Sequence, residues 1–150
     1  MWEPVFGFVN LVALVSHAIL IFLPRRPFLM ALVLYGGIAI LCLVYAVGIV
    51  GLFTGTLDGG AGEASTIDFT TLQGVTGIFA TEGGATIGWT HYLAFDLFVA
   101  LWIARDADDK NVSRFIQAPI LLTTFMAGPL GLLIWLVFRE PRARRRGRPT

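Results

Sequence analysis

Four long apolar runs separated by short polar connectors organise this chain: Pro4–Leu23, Phe28–Phe53, Ala85–Ala104 and Phe115–Phe138. Each has the roughly 20 residues that a helix needs to cross a hydrocarbon core about 30 Å thick. Pro24-Arg25-Arg26-Pro27 is a basic turn that allows only an antiparallel helix pair, and Asp106–Ser113 (DADDKNVS) does the same for the last two runs. Between the pairs, Thr54–Gly84 holds eight glycines, four acids and no Lys or Arg. Within it Phe69, Leu72, Val75, Ile78 and Phe79 recur at helical spacing, which predicts a short amphipathic helix lying on or dipping into the membrane surface. The first run is not a cleavable leader by its pattern: it lacks a basic start, carries Asn10 and His17, and ends in a Pro-Arg turn instead of small residues. The pattern thus predicts an all-α fold, an integral membrane four-helix bundle with a short amphipathic helix in the central connector. Residues 1–139 form one membrane domain, and 140–150 a basic disordered tail.

Composition agrees with this reading. Of 150 residues, 56% are hydrophobic and only 14% charged, with mean hydropathy +0.76; a soluble domain carries about a quarter charged residues. Net charge is +1, and six of the eleven basic residues crowd into Arg139–Arg148, so no basic surface for nucleic acid remains. A single cysteine, Cys42, offers neither a disulfide framework nor a thiolate zinc site. With four crossings, one face (the N-terminal face) would hold the N-terminus, the acidic connector and the arginine tail. The other (the turn face) would hold Arg25, Arg26, Arg105, Lys110 and Arg114. Counting Lys and Arg near span ends then scores five against six and leaves orientation open, unless Leu72–Ala80 itself crossed.

Chemistry must come from the few polar groups inside the runs, because ionisable groups in a membrane are expensive and face the bundle interior. These are Asn10, His17, Tyr35, Tyr45, His91, Tyr92, Asp96, Gln117, Thr123 and Thr124, and Asp96 is the one acid well inside a run. At 1.5 Å per residue, Asp96, His17, Tyr35 and Thr123 share a level about 9–12 Å from the turn face. His91, Asn10 and the Gly128-Pro129 break share a second level about 20 Å in. Trp89, Tyr92, Asp96 and Val99 form one helical stripe. His91 is about 140° away from Asp96 around the helix. The partner within reach of Asp96 is therefore Tyr92 on its own helix or His17 across the bundle, with its carboxylate pointing inward near His17 or Thr123.

The run Gly88-Trp89-Thr90-His91-Tyr92-Leu93-Ala94-Phe95-Asp96-Leu97-Phe98-Val99, continuing through Trp102-Ile103 to Asp106, resembles the signature of the abscisic-acid-deficient-four (neoxanthin synthase) family of small membrane proteins. Asp68-Phe69, Leu72, Gly74-Val75 and Phe79 in the connector, with Pro119, Leu121-Leu122-Thr123 and Gly128–Leu133 near the end, extend the likeness over residues 4–139. Ala100 departs from the glycine expected after Phe-Val. The resemblance implies a carotenoid-related protein, because plant members are associated with converting the epoxy-carotenoid violaxanthin into neoxanthin. Opening an epoxide to an allenic alcohol is redox-neutral and needs an acid and a base, with no metal or other cofactor. In that reading Asp96 and His91 supply acid and base, His17 tunes Asp96, and Tyr92 positions the oxygen. Asn10, Trp89, Phe95, Trp102 and Thr123 complete the substrate site, with aromatic walls for a polyene.

A second class is a non-catalytic carotenoid- or lipid-binding or scaffold protein, in which Asp96 only locks helices together and tolerates Asp96→Asn. A haem protein using His17 and His91 ranks last, because their depths differ by about 11 Å. The expected setting is a multi-pass protein of a bacterial inner membrane, with membrane lipid and a carotenoid or other isoprenoid as partners.

Overall fold

The computed structural model describes residues 1–60 and 68–146, with side chains described up to Arg139. All regular structure among them is helical: α1 (Trp2–Phe22), α2 (Pro27–Thr54), α3 (Leu72–Phe79), α4 (Glu82–Asp109), α5 (Arg114–Met126) and α6 (Gly128–Arg146). Three of these, α1, α2 and α4, are long and apolar enough to cross a membrane. The most buried of them is α4, which packs against every other helix. Its small residues Ala94, Ala100, Ala104 and Ala107 are buried with Leu93, Leu97, Leu101 and Ile103, so neighbouring backbones approach closely. On α2 the Leu32–Ala39 turns are widened to π-helical spacing around Gly36-Gly37. A Cβ on Gly37 would lie 3.0 Å from Leu97 and closer still to the Ser16 hydroxyl, so glycine is what lets three helices meet there.

At the turn face, arginines satisfy the carbonyls that α1 leaves unpaired at its end. Arg25 Nη2 donates to Leu20 O (3.3 Å) while its Nη1 donates across to Ala104 O (2.7 Å) and Asp108 Oδ1 (2.8 Å) on α4, and Arg114 Nη2 donates to the carbonyls of Leu20, Ile21 and Leu23. At the opposite face Trp2 Nε1 donates to Asp58 O (2.8 Å), and its indole lies on Gly83. The predicted amphipathic helix is α3. Thr71 caps it by accepting from Gly74 N–H (3.1 Å). It docks on α4 where Gly84 meets the Ile78 carbonyl and Gly88 meets the Phe79 ring. At eight residues it is about 12 Å long and does not cross.

The fourth expected span, Phe115–Phe138, is corrected by the structure. It is two helices folded back on each other. Helix α5 ends at Met126, Ala127 turns with φ −155° and ψ 78°, and α6 starts at Gly128. Gln117 near the start of α5 donates to Asp108 Oδ1 (3.0 Å). Trp135 Nε1 and Arg139 Nε, late in α6, donate to Asp106 Oδ2 (3.0 and 2.8 Å). Both outer ends therefore sit at the turn-face end of α4. The tip at Gly128 reaches Asp96, ten residues or about 15 Å deeper along α4. The hairpin enters and leaves by one face, so α6 carries Arg139 and its continuation to Arg146 back to the turn face. Every Lys and Arg among the described residues now lies at that face, while Glu3, Asp58, Asp68 and Glu82 lie at the other. The charge conflict came from treating residues 115–138 as one crossing. The 140–150 tail falls in part outside the described residues, and α6 is helical to Arg146.

Candidate functional site

The polar residues picked out from sequence are distributed over three places. The first is the hairpin tip. Asp96, 9% exposed, points into the bundle as expected, but its carboxylate accepts the Gly128 N–H instead of meeting His17 or Thr123. Gly128 opens α6 with an N–H that has no acceptor in its own helix, Pro129 beside it has no N–H, and the N–H groups of Leu130 and Gly131 donate to Ala127 O (2.9 and 3.1 Å). The Asp96 carboxylate thus acts as an N-cap supplied by another helix. A Cβ at 128 would overlap that carboxylate, so glycine is what leaves room for it. The Thr123 hydroxyl donates to Pro119 O (2.8 Å), and its neighbour Thr124 donates to Ile120 O (2.8 Å).

His17 flanks the same tip from α1. Its ring packs on Phe125 (centroids 4.8 Å apart), its Nδ1 bonds Ala13 O (2.9 Å), and its Nε2 is buried with no partner. His17 meets the hairpin at Phe125, and Asp96 meets it at Gly128. The direct pair fails because the hairpin has a residue facing each of them.

The second place is a lateral cleft of about 360 Å³ near the N-terminal face, between α2, α3 and α4. Its polar lining comes from Tyr45, His91 and Tyr92, set among Ile49, Phe79 and Gly88. The His91 ring lies 5.2 Å from Tyr45 and 4.7 Å from Phe95, centroid to centroid. His91 is exposed on this outer flank of α4 and Asp96 is buried on another, so the pair read as acid and base is not brought together. The 140° between them on α4 already contained this result.

The third place adjoins the second through Tyr92, which stacks on Trp89 (6.3 Å, 9°). Trp89 Nε1 donates to Asn10 Oδ1 (3.0 Å), and Asn10 Nδ2 donates to Phe6 O (2.7 Å), tying α1 to α4 beside the cleft. Trp102 belongs elsewhere: Arg139 lies over its ring at 5.4 Å, at the outer end of the hairpin. The aromatic wall proposed from sequence is therefore split, with Trp89 and Phe95 near the cleft and Trp102 about 20 Å along α4 from Trp89. Tyr45 and Phe79 were not among the expected site residues. Phe79 is predictable only once Gly84 and Gly88, one helical turn apart, are seen as a dock for α3.

This arrangement defines a small helical protein of the membrane type, with three helices long and apolar enough to cross and an aromatic, histidine-bearing cleft on its flank. The family model described as ABA DEFICIENT 4-like matches residues 4–135, and the chain belongs to that family. No curated protein and no solved structure matches the chain.

Proposed function

We propose that this protein is a membrane-embedded isomerase that opens an epoxide on a carotenoid or related isoprenoid lipid, and that the reacting end group sits in the His91 cleft. The observation that carries the proposal is the meeting of one imidazole and two phenols, His91, Tyr45 and Tyr92, in an otherwise apolar cleft on the flank of the bundle. Family membership supports the substrate class. His91 takes the proton from the polyene carbon next to the epoxide. The C–H electron pair forms the new double bond as the adjacent C–O bond breaks, and a tyrosine hydroxyl protonates the departing oxygen. Return of the proton from His91 to the tyrosinate closes the cycle with no net electron change. Asp96 acts as a positioning residue through the hairpin tip, because its carboxylate is committed to Gly128. Trp89, Asn10 and Phe95 form the wall beside the cleft. The protein is multi-pass in a bacterial inner membrane, with the cation-rich turn face toward the cytoplasm.

The test is expression in cells accumulating violaxanthin, with pigment chromatography of the wild type, His91→Ala, Tyr92→Phe and Tyr45→Phe. Wild type is expected to yield an allenic product, His91→Ala to lose at least about a hundred-fold in rate, and one tyrosine variant to fall similarly. Violaxanthin that co-purifies unchanged with the wild type would replace catalysis by binding.

A further inference from the structure

Sharing no lining residue with the His91 cleft, a second cleft of about 410 Å³ runs between α1 and the hairpin helix α5. It is lined by Leu14, His17, Phe22, Pro119, Leu122 and Phe125, and His17 is its one side chain with a strongly polar atom. That histidine is 2% exposed. Its Nδ1 faces the Ala13 carbonyl, which can only accept, so Nδ1 carries the ring proton. In the neutral ring Nε2 is then a bare lone pair, buried and without a partner. Leaving such an acceptor unpaired costs about 1–3 kcal/mol. A lone water is a poor remedy, because a buried water needs two to four polar partners, and the rest of the lining is hydrocarbon and aromatic.

We propose that this cleft binds a long apolar lipid through a free hydroxyl, which donates to His17 Nε2 while the lipid body lies along α1 between Leu14 and Phe22. The donor requirement follows from the tautomer: a carbonyl, ether or ester oxygen brings no proton to Nε2. Apolar walls and a lateral opening select a lipid over a soluble alcohol. Because Nε2 is buried and Phe125 packs on the imidazole, admitting the hydroxyl requires that ring to turn aside. This site is separate from the His91 cleft and stands whether or not that cleft is catalytic.

The experiment uses the full chain in nanodiscs, selectively ¹⁵N-labelled at histidine, with geranylgeraniol as the probe and geranylgeranyl methyl ether as its partner lacking the O–H. His17→Leu assigns the His17 signal. The expected result is that the alcohol moves the Nε2 resonance of His17 toward the hydrogen-bonded position and leaves His91 unmoved. Retention of the alcohol is expected to exceed that of the ether by about ten-fold, the equivalent of one hydrogen bond to a buried acceptor. Equal retention of alcohol and ether by the wild type, or an unmoved His17 Nε2 at saturating alcohol, overturns the proposal. A haem absorption band in the purified protein also overturns it, because Nε2 would then be ligating iron. The alcohol–ether comparison is made in the wild type, so it holds even if His17→Leu folds poorly. Epoxide conversion is not measured, so its failure is distinguishable from failure of the isomerase reading.

Discussion

Asp96 and Gly128 meet in a contact in which each residue explains the other. The carboxylate supplies the acceptor that the first N–H of α6 lacks in a place where water is scarce, and the missing Cβ makes room for it. Gly128→Ala is expected to destabilise the protein by about 1–3 kcal/mol through overpacking, seen as a lower thermal midpoint in detergent. Asp96→Asn keeps an acceptor oxygen and is expected to retain the fold. Asp96→Leu leaves the Gly128 N–H unpaired and loses about 1–3 kcal/mol. Equal thermal midpoints for the Asn and Leu variants would remove the capping role. Sequence singled out Asp96 because it stood alone among apolar residues, but its partner is a backbone group, and backbone partners leave no trace in a side-chain pattern.

Among the elements, α3 and the α5–α6 hairpin differ in how far they could be foreseen. Helix α3 was legible from its spacing of Phe69, Leu72, Val75 and Phe79, and its capping adds a pH dependence. Asp68 accepts from the Thr70 hydroxyl and N–H and from the Thr71 hydroxyl, and these bonds hold its carboxyl below the usual carboxylate range. A depressed folded value means that the cap contributes above the ordinary carboxylate pKa and is lost as pH falls through the folded value. The protection factor of the Gly74 amide, bonded to Thr71, with the intrinsic pH dependence of exchange divided out, is expected to fall over that acid window and to stay constant from pH 6 to 8. The hairpin was not foreseen, because residues 115–138 have the length and hydropathy of a span. Only the Gly128-Pro129 break hinted otherwise, and it fits a kinked span as well as a reversal.

For the whole molecule, a hairpin in place of a fourth crossing changes a parity. Three crossings put residue 3 and residue 146 on opposite faces, whereas four would put them on the same face. In a Cys42→Ala background, a cysteine at Glu3 is expected to react with a membrane-impermeant maleimide in intact cells. A cysteine placed at Arg146 is expected to react only after permeabilisation. Labelling of both in intact cells, or of neither, would restore the fourth crossing. The proposed orientation sets the sense of this test: with Arg139 held on Asp106, the basic residues gather at one face, and a cytoplasmic position for that face is what the positive-inside rule would favour.

Hydrophobic periodicity by itself determined the membrane class, the all-helical build, α1, α2, α4 and the amphipathic α3, because each is set by local spacing and by the thickness of the bilayer. It also supplied the residues of the candidate site, His91, Tyr92, Trp89 and Asn10 among them. Tertiary structure alone decided which of these meet. Whether a 24-residue apolar stretch crosses or turns back depends on a backbone N–H finding Asp96 and on Trp135 and Arg139 finding Asp106, all contacts between residues distant in the chain. Those contacts draw Asp96 to the hairpin, while α3 docked on α4 leaves His91 in a cleft with two tyrosines, and the packing of α1 on α5 leaves the buried lone pair of His17 without a partner beside a cleft of its own.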